Sequence, residues 1–204
     1  MIGKHVGFDT LCKNDEEIPS FHSYHCIIHQ QTLCSKVLNS NYVMNIAFKI
    51  VNSIRARSLQ RRQFRTLLEQ CEIENTELLL HTDVRWLSSA AFLKRFRDLL
   101  FEIKQFLTGR EELYPELEDK SWLINHAFLC NITEHLNKFN LQLQGRHKSI
   151  LEMIIAVKTF KEKLSLFVRQ LERGDLKHFK NMEEESKNHQ EFFTINIPIK
   201  LLLF

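Results

Sequence analysis

Along this chain apolar residues recur mostly at steps of three and four, the period of a helix with one buried face. From about residue 30 to 71 they fall at Leu33, Val37, Leu38, Ala47, Ile50, Val51 and Ile54, with no Gly or Pro between. The spacing predicts one long helix, with Asn39-Ser-Asn41 as its weak point because these side chains compete for backbone hydrogen bonds. A second stripe, Phe92, Leu93, Phe96, Leu99, Leu100, Ile103, Phe106 and Leu107, predicts a helix capped by Ser88 or Ser89 and ended by Gly109. Residues 122–144 carry Leu129, Ile132, Leu136, Phe139 and Leu143, and Gly145 follows. Residues 149–171 carry Ile150, Ile154, Val157, Leu164 and Val168, and Gly174 follows. Two such helices joined by a short turn predict an antiparallel helical hairpin.

The rest of the pattern is weaker. Residues 1–20 are short, polar and broken, and residues 21–28 and 78–82 are short apolar runs that read as candidate strands. Residues 180–190, with Glu183-Glu-Glu185, read as a solvated segment. Residues 195–204 form an apolar end with no evident partner. No internal repeat is visible.

Composition narrows the class. The 204 residues are 44% apolar and 26% charged, which excludes a disordered or collagen-like chain. With only five Gly and three Pro, a turn-rich β-sandwich or barrel is not expected. No apolar run reaches the roughly 18 residues of a membrane span. Met1-Ile-Gly-Lys-His-Val6 lacks the apolar core of a signal peptide, so no leader is expected. The five Cys (12, 26, 34, 71, 130) are odd in number and scattered, which fits free thiols in a reducing, intracellular compartment. Sixteen Phe against three Tyr read as aromatic mass for a core. A net charge of +3 permits nucleic-acid binding without requiring it.

Three clusters could carry chemistry. Cys26-Ile-Ile-His29 offers a soft and a borderline ligand for zinc, but His22, His25 and Cys34 supply no clean second pair. Its plainer reading is a buried thiol beside a structural imidazole. Asp83-Val-Arg-Trp86 joins a carboxylate, a guanidinium and an aromatic plane, enough to hold a phosphate or stack a base. Its plainer reading is an Asp–Arg pair with Trp86 anchoring the next helix. Arg55, Arg57, Arg61, Arg62 and Arg65 lie within eleven residues that contain no acid. On one helix they fall broadly on one side and would track a phosphate backbone. Equally, they would form a solvated face answering the acids of residues 69–77. Glu134 and His135 read as surface residues. No Walker loop, dinucleotide fingerprint, zinc-protease helix or nucleophile elbow is present. No cofactor, metal or small-molecule substrate is expected.

His25-Cys-Ile-Ile-His29 with Gln30-Gln-Thr-Leu-Cys-Ser-Lys36 resembles the Cys-x-x-His block of hAT-superfamily DNA transposases. Thr82-Asp-Val-Arg-Trp-Leu-Ser88 resembles their Arg-Trp block. Phe128-Leu-Cys-Asn-Ile-Thr-Glu-His-Leu-Asn137, Leu141-Gln-Leu-Gln-Gly145 and Phe160-Lys-Glu-Lys-Leu-Ser-Leu166 are similar to domesticated vertebrate descendants of these elements. That group includes the zinc finger BED domain-containing and the general transcription factor II-I repeat domain-containing proteins. The resemblance covers about residues 1–180 and is specific because several blocks occur in order.

The resemblance implies a mainly α chain: a remnant of an RNase H-like α/β domain (1–90), then the helical insertion of that domain (91–180), then a divergent tail (181–204). In the family, two Asp and one Glu hold divalent cations for strand cleavage. By the same resemblance the two Asp would precede Met1 and the Glu would follow Phe204, so no catalytic residue is carried over. Cys26, His29, Arg85 and Trp86 are carried over, with at least a packing role. The expected function is therefore non-catalytic binding, to DNA backbone or to a nuclear protein through the heptad-like helices, with no membrane. The alternatives are a helical protein-interaction module that binds no nucleic acid, and a fragment with no function.

Overall fold

The computed structural model describes residues 8–13, 15, 41–74, 78, 86–144 and 149–189. Among these residues every regular element is a helix, as the mainly α expectation requires. In chain order they are α1 (Phe8–Lys13), α2 (Asn41–Ala56), α3 (Ser58–Gln70), α4 (Trp86–Asp98) and α5 (Leu100–Thr108). A single 3-10 turn (Pro115–Leu117) leads to α6 (Lys120–Leu143), α7 (Ile150–Glu172) and α8 (Lys180–His189). The candidate strand at 21–28 and all of 78–82 except Leu78 lie outside the described residues.

The long helix expected over 30–71 is, where described, two helices meeting at Arg57. That residue is extended, with φ −118° and ψ 135°. The register explains the break. α2 buries Val43, Met44, Ala47, Ile50, Val51 and Ile54. Continued without interruption, the same face would bring Arg57, Ser58, Arg61 and Arg65 into the core. Breaking at Arg57 re-phases the chain, and α3 buries Gln60, Phe64 and Leu68 instead.

The helix expected to end at Gly109 also differs. It starts at Trp86, so Ser88 and Ser89 lie inside it and do not cap it. It kinks at buried Leu99 (φ −109°, ψ 14°), yet the ladder bonds Leu99 N–H to Arg95 and Ile103 N–H to Leu99 persist. Phe92, Phe96, Leu99, Ile103 and Leu107 therefore stay on one buried line. Gly109 is still right-handed at φ −63°, and the chain reverses at Glu111, whose φ is 57°. Glu112 N–H closes on the Leu107 carbonyl there. Gly174 does behave as expected. It takes φ 72°, and Asp175 N–H bonds the Gln170 carbonyl in a Schellman stop.

α6 is the central helix. Asp119 caps it by accepting from Ser121 N–H, and residues 126–133 are buried in an unbroken run. A helix buried all round must be covered on several sides. α4 covers one, with Phe96 against Trp122 and His126 at ring separations of 6.1 and 5.2 Å. α7 covers another. Its N-terminus carries a capping box between Ser149 and Glu152. Phe139 stacks on Phe160 at 4.2 Å and His135 lies 4.6 Å from Phe167, so the contacts run in opposite order along the two helices. This is the expected antiparallel hairpin.

α8 corrects the expectation that residues 180–190 are solvated. Phe179 and Met182 are fully buried, Phe179 lying 5.8 Å from Phe128 and 5.2 Å from Phe167. Met182 N–H donates to Asn131 Oδ1 of α6 at 3.3 Å. Buried Glu185 receives Arg97 Nη1 of α4 at 3.0 Å. The helix is polar in composition, but its inner face is fixed by these few groups.

Candidate functional site

Of the expected site residues, Cys26, His29 and Arg85 lie outside the described residues, and Trp86 is placed only as the first residue of α4. The five arginines do not share one helix face. Arg55 is half-buried in the last turn of α2, and its Nη1 donates to the Leu78 carbonyl oxygen. That bond spends the guanidinium inside the fold. Arg57 is the extended joint. Arg61, Arg62 and Arg65 are on α3, which buries Gln60, Phe64 and Leu68, with Arg65 half-buried and Arg61 and Arg62 exposed. A basic surface therefore survives over Arg57, Arg61 and Arg62, shorter than a single helix would give.

The expectation that Glu134 and His135 are both surface residues holds for one of them. Glu134 is exposed and accepts from Lys138 Nζ at 2.6 Å. His135 is half-buried, its ring against Phe167 and Phe179 and its Nε2 3.0 Å from the His178 carbonyl oxygen. Burial lowers its pKa, against the opposing pull of that hydrogen bond.

One Cys–His pair is close in space. His126 is wholly buried between Phe96 and Trp122, and its Nδ1 is 3.8 Å from Cys130 Sγ one turn on. Burial holds His126 down at about 3, helped by the Arg97 charge. Burial pushes the Cys130 thiol up to about 12. Both groups are neutral near pH 7, whereas a nucleophilic thiolate requires a thiol pKa shifted down. The pair is core packing. Among the described residues no group of three or more His, Cys, Asp or Glu could hold a metal ion. Cys12, Cys71 and Cys130 are free thiols.

A cleft of about 650 Å³ opens between α4, α5 and α8. Its principal charge is already committed. Arg97 bonds Glu185 at 3.0 Å and the Asn181 carbonyl at 3.1 Å, and Glu184 lies 3.8 Å away. Removing one partner of a buried pair like this is costly, which makes the cleft a fastening between α4 and α8.

The largest unsatisfied feature is apolar. On the first two turns of α7, Ile150, Leu151, Ile154 and Ile155 are exposed, the first two at 72% and 67%, and Leu141 at the end of α6 is exposed as well. Sequence reasoning missed this face, although a signal for it exists. Ile150-Leu-Glu-Met-Ile-Ile-Ala-Val157 is apolar over far more than one side of a helix. The inner side takes Met153, Ala156 and Val157, which pack against the core, and the outer side is left over.

No described helix is long and apolar enough to cross a membrane. Residues 25–172 match the family model described as the FAM200/GTF2IRD2 helical domain. The chain is 35% identical over 166 residues to the general transcription factor II-I repeat domain-containing protein 2 of Bos taurus, covering 81% of this chain and 18% of that protein. With the protein of the same name from Mus musculus the identity is 34% over 169 residues, covering 83% of this chain and 18% of that protein. The chain thus spans less than a fifth of the length of these relatives. No solved structure matches it.

Proposed function

The chain belongs to the FAM200/GTF2IRD2 helical-domain family, and from that premise we propose that it is a transposase-derived protein that works by binding other macromolecules and not by catalysis. The carrying observation is that the matched region, residues 25–172, includes a helical hairpin whose second helix turns an apolar face outward. Contiguous exposed apolar surface marks interaction sites in soluble proteins. Protein binding is therefore the first reading. The name of the relatives, general transcription factor II-I repeat domain-containing protein 2, supports placing this activity in the nucleus.

Descent from the hAT superfamily, with an RNase H-like remnant in 1–90, the insertion in 91–180 and a divergent tail in 181–204, belongs to the same proposal. It rests on the Cys26–His29 and Arg85–Trp86 blocks and on the order of the later blocks. α2 touches α6 and α8 docks on α6, so the described helices of the three stretches pack against one another. By the same resemblance, the three carboxylates that cleavage in that superfamily requires are not among the residues carried over.

A second reading, contact with DNA backbone, is favoured by one observation: Arg57, Arg61 and Arg62 are exposed within one and a half turns of chain. Supercoiled plasmid tests both points. Incubated with the full chain and Mn²⁺, it should stay intact, and nicking would overturn the non-catalytic assignment. If DNA is the partner, plasmid retardation at about 50 mM salt should vanish by about 200 mM. It should also vanish when Arg57, Arg61 and Arg62 are changed to Glu. No retardation at low salt leaves protein as the partner class.

A further inference from the structure

We propose that the cleft between α4, α5 and α8 takes an arginine side chain of another protein, with Glu102 as the carboxylate that receives it. This rests on the binding reading above and gives it a second surface and a partner chemistry. The cleft holds about 650 Å³, within the roughly 300–1,000 Å³ of small-ligand sites. Its α4 and α8 sides are tied by the Arg97 fastening. On its α5 side, among the described residues, Glu102 Oε2 is buried with no hydrogen-bond partner. A buried carboxylate oxygen in that state is costly, and native folds seldom leave one unanswered.

The local chain does not answer it. The positions one turn away on either side are Asp98, Leu99, Gln105 and Phe106, and none is a cation. Glu102 stands in the first turn of α5 but does not cap it, because Leu99 N–H runs back to the Arg95 carbonyl across the kink.

The full set of charges lining the cleft is four carboxylates, Asp98, Glu102, Glu184 and Glu185, against two cations, Arg97 and Lys104. Both cations are answered, Arg97 by Glu185 at 3.0 Å and Lys104 by Glu118 at 3.0 Å. Asp98 is answered by Lys94 at 2.9 Å. That leaves Glu102, and Glu184 standing 3.8 Å from an Arg97 that Glu185 already takes. The residual charge is negative, so the occupant is a cation. Phe101 also lines the cleft and is 72% exposed. A guanidinium stacks on an aromatic face while bonding a carboxylate along its edge, which favours arginine over a bare ammonium. Leu100 and Leu123 give an apolar footing for its methylene stem.

The test uses the isotope-labelled full chain in NMR titrations with blocked peptides of about five residues, Gly on both sides of a central Arg, Lys or citrulline. The Arg peptide should shift the amides of residues 101–104 and 181–188 with a Kd of about 1 mM or below. Citrulline keeps the shape and loses the charge, and its peptide should bind about tenfold more weakly. The Lys peptide should fall between the two. Glu102→Gln keeps the side chain's size and should weaken the Arg peptide about tenfold. Glu184→Gln, at an exposed position, should weaken it about twofold. Equal binding of the Arg and citrulline peptides would overturn the proposal, as would an unchanged affinity in Glu102→Gln or no shifts at about 5 mM peptide. Spermidine binding more tightly than the Arg peptide would assign the cleft to a free polyamine and overturn the protein partner. The plasmid assay does not involve this cleft, so either reading can fail alone.

Discussion

α8 and the first turns of α7 are opposites in sequence and in burial. α8 reads Lys-Asn-Met-Glu-Glu-Glu-Ser-Lys-Asn-His, with a single apolar residue, yet it lies on the core. The start of α7 reads Ile-Leu-Glu-Met-Ile-Ile, yet its outer side faces solvent. Mean local hydropathy therefore does not decide which helix is covered. What decides is the set of groups standing opposite. Phe128 and Phe167 stand opposite Phe179, Asn131 opposite the Met182 amide, and Arg97 opposite Glu185. Among the described residues the outer α7 face has no such set.

The largest effect should come from the aromatic anchor of α8. Phe179→Ala removes a fully buried ring with aromatic neighbours on α6 and α7 and should cost about 4 kcal/mol in urea unfolding of the full chain. A loss below about 1 kcal/mol would mean that α8 does not share the core. Next comes the ion pair. Glu185→Ala leaves Arg97, only 14% exposed, with the Asn181 carbonyl and the exposed Glu184 carboxylate 3.8 Å away in place of its buried partner, and should cost about 3 kcal/mol. Arg97→Met combined with Glu185→Leu should recover most of that loss, because the penalty lies in the stranded charge. A double variant no better than the single would place the energy in the pair itself.

These anchors explain what was legible beforehand. The hairpin of α6 and α7 was, because its contacts obey a local period and its ends carry Ser149 and Gly174. The joint at Arg57 is half-legible: the sequence shows the arginines as a surface, but only the register of α2 shows that the helix must re-phase there. The reversal at Glu111 was hidden because a glycine two residues earlier suggested itself and was not used for a left-handed turn. Docking of α8 was not legible at all. Arg97 and Glu185 are 88 residues apart, and no local pattern pairs them. The site fared similarly. Arginine clustering was visible in the sequence, but the capture of Arg55 by the Leu78 carbonyl depends on the tertiary path. The apolar α7 face shows in the sequence as an over-wide stripe, but the period alone does not tell that Ile150 and Ile154 face outward.

The third effect is on pH. His126 sits in the same α4–α6 contact that holds α8 through Arg97. Its pKa falls from an ordinary 6.5 to about 3 in the folded state, from burial first and the Arg97 charge second. Below pH 6.5 the unfolded chain takes up a proton that the folded chain refuses. Stability is therefore complete above 6.5 and is lost as pH falls towards 3, by about 1.4 kcal/mol per unit. By pH 5 the loss should reach about 2 kcal/mol. His126→Phe keeps a ring between Phe96 and Trp122 and should remove most of this slope, leaving the same-signed part from His135, which burial also lowers. Urea unfolding at pH 7 and pH 5 reads the difference. Equal losses in parent and variant would remove His126 from the account.

The smallest effect is the sharpest test of the comparison. Leu151→Lys puts a charge into the middle of an apolar run, and from sequence alone it should break a core helix. In the fold the side chain is 67% exposed and has little to lose. Its unfolding free energy should stay within about 0.5 kcal/mol of the parent, the range of ordinary surface changes. Leu164→Lys, four turns along the same helix and buried, should cost several times more. Similar losses at both positions would mean that the start of α7 is covered in the isolated chain, and the face would then be interior and not a docking surface. A silent Leu151→Lys beside a damaging Leu164→Lys would leave α7 divided as described, one half built for this chain's own core and the other for a partner.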